Sequence, residues 1–248
     1  MTSSTVHDIP LINFLALAGP AIVVLTVLFY WNLNLGKSIY ALARMLGQLL
    51  AIGYVLAFIF EAQSALWVLL VLTFMMLAAT WISLNPLKGP TRPLYIAAFF
   101  AILVAGSVTL FAVTRGVLEI TPWYAPRQMI PLAGMIFSSA MTAISLSSER
   151  LVSELKRGLA YQQARTIAFN ASLIPTLNSL FAVGLVSLPG MMTGQILSGV
   201  TPLIAAKYQI VVMIMLFSSV GLSAVIFLFL SKKHFLALYA PATVLHAN

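Results

Sequence analysis

The sequence predicts an all-α fold, a polytopic bundle of about seven transmembrane helices with the N-terminus outside and the C-terminus in the cytoplasm. Three observations carry that prediction: a shortage of charge, a series of long apolar stretches, and an uneven distribution of lysine and arginine. Of 248 residues, 61% are hydrophobic and 7% charged, and mean hydropathy is +1.04. A soluble domain is usually about a quarter charged, because its surface faces water. Lipid is the solvent that suits so much apolar surface.

A spanning helix needs roughly 20 mostly apolar residues, since each adds about 1.5 Å across a core of about 30 Å. Seven stretches meet or approach that length: Leu11–Trp31, Ala41–Phe60, Ala65–Ser83, Leu94–Thr114, Met129–Ser148, Ala171–Leu188 and Ile210–Leu230. Arg44 lies near the start of the second and can snorkel to the interface. Pro175 lies in the sixth, where neighbouring groups can satisfy the carbonyl it frees. The N-terminal residues lack the basic region of a signal peptide, so the first stretch is expected to stay in the mature protein.

Alternate connections differ in charge. One side collects Lys37, Arg44, Lys88, Arg92, Arg150, Lys156, Arg157, Arg165, Lys232 and Lys233, ten basic residues, against Arg115, Arg127 and Lys207 on the other. The positive-inside rule puts the richer side in the cytoplasm. The net charge of +8 is thereby explained by topology, and nucleic acid is not an expected partner. Trp31, Trp67, Trp81, Trp123 and Tyr124 fall near predicted interfaces, as in aromatic belts.

Enzyme chemistry finds little support. Cysteine is absent, and His7, His234 and His246 all lie outside the predicted spans. There is no His-x-x-x-His pair, no Gly-x-Ser-x-Gly motif and no Walker phosphate loop. The spans hold almost no ionisable groups, which argues against a proton relay. Any pathway must then be lined by hydroxyls, amides, methionines and backbone, with Ser138, Ser139, Thr142, Ser145, Asn178, Ser179, Ser218 and Ser219 as candidates. Each could equally be an ordinary interhelical hydrogen bond.

Two connections stand out. In the first, residues 149–170, Leu151, Leu155 and Leu159 form one stripe of a helix otherwise lined by Glu, Arg, Lys and Gln. The fifth span is expected to continue into the cytoplasm there, either as a surface for a soluble partner or as a solvated connector. Glu154 can pair with Arg150. The second is Gly184-Leu-Val-Ser-Leu-Pro-Gly-Met-Met-Thr-Gly-Gln-Ile-Leu-Ser-Gly199. Pro189 breaks the helix, Gly190 permits positive φ, and Gly190 with Gly194 forms a small-xxx-small pair. Irregular or re-entrant backbone is expected after the sixth span. Met191 and Met192 could line a route, contact a soft metal, or simply pack.

This segment, with Pro202 and Lys207-Tyr-Gln-Ile210, resembles the signature of the FetB (YbbM) family of ABC-transporter permeases. The likeness extends back through Ile174-Pro-Thr-Leu-Asn-Ser179, Glu149-Arg-Leu-Val-Ser-Glu154 and Ile130-Pro-Leu-Ala-Gly-Met135. The resemblance implies one permease domain over 1–248, a second copy as homodimer partner, and a separate cytoplasmic ATPase that holds ATP and Mg, with no cofactor in this chain. Bacterial members of the family are linked to iron export, plant relatives to aluminium tolerance, and one such complex to UDP-glucose. An iron or other metal exporter of the inner membrane is therefore expected; export of an organic substrate such as a nucleotide sugar, or an uncoupled channel or scaffold, is the alternative.

On this resemblance Asn178, Ser187, Pro189, Gly190, Met191, Met192, Gly194, Gln195, Tyr208 and Gln209 form the path or helix break. Glu149, Arg150, Glu154, Lys156, Arg157 and Arg165 couple to the ATPase. Glu61, Glu149, Met191 and Met192 are metal candidates, with His7 and Asp8 at the outer mouth. One departure stands out: the cytoplasmic segment Leu155-Lys-Arg-Gly-Leu-Ala-Tyr-Gln-Gln-Ala164 is shorter than its counterpart in the family.

Overall fold

The computed structural model describes residues 10–62 and 64–239; His7, Asp8 and His246 lie outside them. The described residues form α-helices α1 (Leu15–Tyr30), α2 (Leu35–Ala62), α3 (Ala65–Ser83), α4 (Arg92–Phe111), α5 (Pro126–Lys156), α6 (Tyr161–Ala182), α7 (Gly190–Leu197), α8 (Pro202–Leu230) and α9 (Lys232–Tyr239). Six of the described helices are long and apolar enough to cross a membrane, beginning at Ile12, Leu35, Ala65, Arg92, Pro126 and Pro202. The chain is an all-α polytopic helical bundle.

It divides into two compact units at Ala62. In the first, α1 packs on α2. Between them Asn32 adopts φ 52°, a left-handed conformation that asparagine tolerates. The Asn34 side chain then accepts a hydrogen bond from the Lys37 amide at 3.1 Å, capping the start of α2.

In the second unit α5 is the central helix, touching α3, α4, α6, α8 and α9. Leu132, Ala133, Ile136, Phe137, Ala140, Ala143, Ile144, Leu151 and Leu155 recur at helical spacing and are all buried. Across from them α4 buries Ala97, Ala98, Ala101, Ile102, Ala105 and Gly106. Small side chains let helices approach where lipid offers no hydrophobic drive for association. Hydroxyls add interhelical bonds. Ser145 Oγ donates to the Ser83 carbonyl at 2.7 Å, and Ser219 Oγ donates to the Ile136 carbonyl at 3.0 Å. These two sequence candidates tie helices together.

Several sequence expectations need correction. The sixth predicted span, Ala171–Leu188, is the later part of α6, which begins at Tyr161 and ends at Ala182. Gln162, Gln163, Arg165 and Asn170 make its first half polar, and α6 is not among the six strongly apolar helices. The last predicted span, Ile210–Leu230, starts earlier, at Pro202, where proline suits the first turn. Residues 149–170 are mostly helix: α5 continues to Lys156 as expected, and only residues 157–160 turn, with Gly158 at φ +85°. The positive φ expected at Gly190 occurs at Gly184 (+80°) and Gly199 (+91°), while Gly190 begins α7. A Cβ on Gly190 or Gly194 would meet nothing within 4 Å, so neither glycine serves a close approach within this chain.

Two expected outcomes test this packing. A Cβ on Gly106 would sit 2.8 Å from Phe137 Cε1, so Gly106→Ala should destabilise the bundle by about 1–3 kcal/mol, measured by thermal unfolding in detergent. The second concerns Tyr161, at the start of α6 and outside the six apolar spans. Its hydroxyl donates to the Leu228 carbonyl of α8. Tyr161→Phe removes this bond and should cost about 1 kcal/mol, measured by the same thermal unfolding in detergent.

Candidate functional site

The chain between α6 and α8 is held by local bonds. Past Ala182 the carbonyl of that residue accepts from the amides of Leu185, Val186 and Ser187, and the Gly184 amide donates to the Ser187 carbonyl at 3.0 Å. Gly184 can take the φ this turn needs because it has no Cβ. Pro189 then caps α7 in an extended conformation, and the Thr193 amide donates back to its carbonyl. A second turn at Ser198–Thr201 leads into α8. The break expected after the sixth span is thus a short helix between two glycine turns.

α5, α6, the break and α8 enclose a cavity of about 490 Å³. α5 contributes Met135, Ser139 and Thr142; α6 contributes Ser172, Thr176 and Ser179; the break contributes Ser187, Pro189, Gly190 and Met191; α8 contributes Gln209 and Met213. Thr142, Ser179, Ser187 and Gly190 are exposed, so the cavity opens to the outside at that rim. No Asp, Glu, Lys, Arg or His lines it.

The polar lining has a direction. Ser139 donates to the Met135 carbonyl at 2.9 Å, Thr142 to Ser138 at 2.9 Å, Ser172 to Phe169 at 2.7 Å and Ser179 to Pro175 at 3.0 Å. Each hydroxyl hydrogen is used within its own helix, which leaves oxygen lone pairs for the cavity. Gln209 is only 5% exposed, and its Oε1 has no hydrogen-bond partner. A buried amide oxygen without a partner is costly, so it marks a place where something else can bind.

Of the ten expected path residues, Ser187, Pro189, Gly190, Met191 and Gln209 meet at this cavity. Met192 lines a neighbouring hollow of about 350 Å³ with Gly184, Gln209 and Met213. Asn178, Gly194 and Tyr208 are exposed and line neither; Gln195 also stands apart, with Oε1 buried and unpartnered. Ser139, Thr142 and Ser179 were sequence candidates, whereas Met135, Ser172, Thr176 and Met213 gave no distinguishing signal. Ser138 bonds its own helix at Met135, and Ser218 is half-buried away from the lining.

The expected coupling residues Glu149 to Arg157 lie along the last turns of α5, whereas Arg165 is on α6. Glu154, 3% exposed, accepts from Arg150 at 2.7 Å and Arg157 at 3.4 Å, so the pairing expected with Arg150 is present. Lys156 lies 5.6 Å from the Tyr239 ring centroid, and Lys232 lies 5.7 Å from that of Tyr161. Leu151 and Leu155 turn inward and Leu159 is half-buried, while Glu149, Lys156 and Arg157 stay exposed and Arg165 is half-buried. Among the described residues no three His, Cys, Asp or Glu side chains group to hold a metal ion. Glu61 and Glu149 are both exposed, and Met191 and Met192 line two different hollows.

The model of an uncharacterised protein family, UPF0014, matches residues 11–236. The probable iron export permease protein FetB of Escherichia coli K12 is 37% identical over 239 residues, covering 89% of this chain and 90% of that protein. The UPF0014 membrane protein slr1647 of Synechocystis is 35% identical, covering 85% and 86%. The Arabidopsis thaliana protein ALUMINUM SENSITIVE 3 is 34% identical, covering 84% and 81%. No solved structure matches. Of these relatives one is named as a permease and one as a membrane protein, and the resemblance to FetB seen in the motifs extends over most of the chain. The chain is a multi-pass membrane protein that belongs to the UPF0014 family.

Proposed function

We propose that this chain is the permease subunit of an ABC-type exporter that carries iron, or another metal as ion or complex, out of the cell. The observation that carries the reading is the near full-length likeness to a relative named as an iron export permease. The open, hydroxyl-lined cavity supports it, because a transport site must bind and also release its cargo. ATP and magnesium would be held by a separate cytoplasmic subunit, and two copies of the chain would form the pathway.

In this reading the protein lies in the inner membrane, N-terminus outside and C-terminus inside, and α6 makes the seventh crossing. Its 22 residues would reach about 33 Å. Its modest hydropathy fits a helix with one face on a polar cavity. The cavity then occupies the outer half of the membrane, and the Arg150–Glu154–Arg157 cluster faces the cytoplasm. The exposed Lys156 and Arg157 beside the turn at Gly158 are the proposed contact for the ATPase, although the connecting segment is short.

The test is reconstitution with an ATPase encoded beside this gene. Inside-out vesicles should accumulate iron only when both subunits and ATP are present. Iron flux through the chain alone, independent of ATP, would sink the proposal in favour of a channel. Reversing the charge of Lys156 and Arg157 together should lower iron-stimulated ATP hydrolysis about tenfold, equivalent to about 1.4 kcal/mol of docking, with protein yield and thermal stability unchanged.

A further inference from the structure

The cavity between α5, α6 and α8 is formally neutral, and it presents two opposite kinds of polar group. On the α5 and α6 walls the lone pairs of Ser139, Thr142, Ser172 and Ser179 face inward because their hydrogens are used elsewhere. Gln209 adds an unpartnered oxygen. At the break, Gly190 and Met191 bring the start of α7 to the same cavity. That helix has no side-chain cap, so its first amides are the free donors every helix start leaves. They carry the positive end of the helix dipole, which favours an oxyanion.

A cavity with no charged side chain gives poor compensation to a bare divalent cation or to a free polyanion. Diphosphate groups of a nucleotide sugar would meet no lysine or arginine. A ligand suited to both walls is electrically neutral overall, with carboxylate oxygens at one end and hydrogen-bond donors at the other. At about 30 Å³ per water-sized unit, a cavity of about 490 Å³ has room for a complex and not only an ion.

Resting on the transport reading above, we propose that this cavity binds the metal as a neutral hydroxycarboxylate complex, with carboxylate at the first turn of α7 and a hydroxyl or metal-bound water donating to Gln209 Oε1. Neutrality of the complex replaces the acidic side chains that the spans lack. The methionines Met135, Met191 and Met213 then form a soft, adaptable wall around it. A one-to-one complex of ferric ion with citrate has this character, since three carboxylates balance the ion.

The test is equilibrium binding to the purified full chain in nanodiscs, with three probes: the one-to-one ferric citrate complex, citrate alone and ferrous ion alone. The complex should bind at least tenfold more tightly than either component. Gln209→Leu should weaken it about tenfold, and Gln209→Glu, which adds a negative charge, should shift preference towards ferrous ion. Ferrous ion or citrate binding the unaltered chain as tightly as the complex overturns the proposal, and this comparison stands even if the variants fail to fold. Unchanged affinity in a folded Gln209→Leu chain overturns it too. ATP-driven iron efflux without preference for the complex removes this inference and keeps the transport reading. A Gln209-dependent preference without ATP-driven efflux does the reverse.

Discussion

The second unit depends on α5 serving two surfaces at once. One face buries Ile136, Ala140, Ala143 and Ile144 against helices on several sides, and the other places Ser139 and Thr142 on the cavity. In hydrocarbon, an unsatisfied polar group is penalised heavily. The hydroxyls of α5 meet that constraint by bonding carbonyls, either on their own helix or, for Ser145, on Ser83 of α3. Once a hydroxyl has donated its hydrogen, only its acceptor capacity remains. Satisfying the membrane constraint therefore also sets the chemistry of the cavity wall.

The break after α6 follows the same logic. Residues 183–189 leave the helix, yet the Ala182 carbonyl collects amides from the following turn, so little backbone is left without a partner. Gly184 and Gly199 supply the positive φ at the two ends. Between them Pro189 offers no N–H and sets the start of α7. Thr109 Oγ1 and Gln195 Oε1 are buried without a partner elsewhere, and at the cavity the oxygen of Gln209 is left unpaired beside the start of α7. Set in the cavity lining, the Gln209 oxygen is open to a hydrogen-bond donor from a bound molecule.

Much of this was legible in the sequence, because hydropathy and length govern which segments enter lipid, and the break after α6 is marked by Pro189. The helix limits were less legible. α6 begins ten residues before its apolar stretch, and the polar residues that hide its first half are spread over a single continuous helix. Window averages register composition and not which face bears it. The same limit applies to the hydroxyls. Ser138, Ser139, Thr142 and Ser145 lie within two turns of α5 with one chemistry, yet Ser145 binds α3 while Ser139 and Thr142 face the cavity. Only the rotation of α5 separates them. Gly190 and Gly184 illustrate the point for backbone: both are flexible, but the turn uses Gly184, because helix α7 claims Gly190.

The cavity meets the middle of α5, and the charged cluster lies at its C-terminal end. From Ser139 to Glu154 the helix is unbroken, a separation of about 22 Å at 1.5 Å per residue. A continuous helix transmits displacement along its axis with little loss, since its internal hydrogen bonds resist bending. Glu154 is buried among its neighbours and paired with Arg150 and Arg157, which ties the end of α5 to the start of the turn at Gly158. On the proposed reading, a partner that pulls on Lys156 and Arg157 thereby shifts Ser139 and Thr142 against α6 and α8, which form the other walls. The neutral lining suits such a device. Binding through lone pairs and a helix end is weak enough that a small change in wall spacing is sufficient for release, whereas buried carboxylates would hold a cation too firmly for a short stroke to free it.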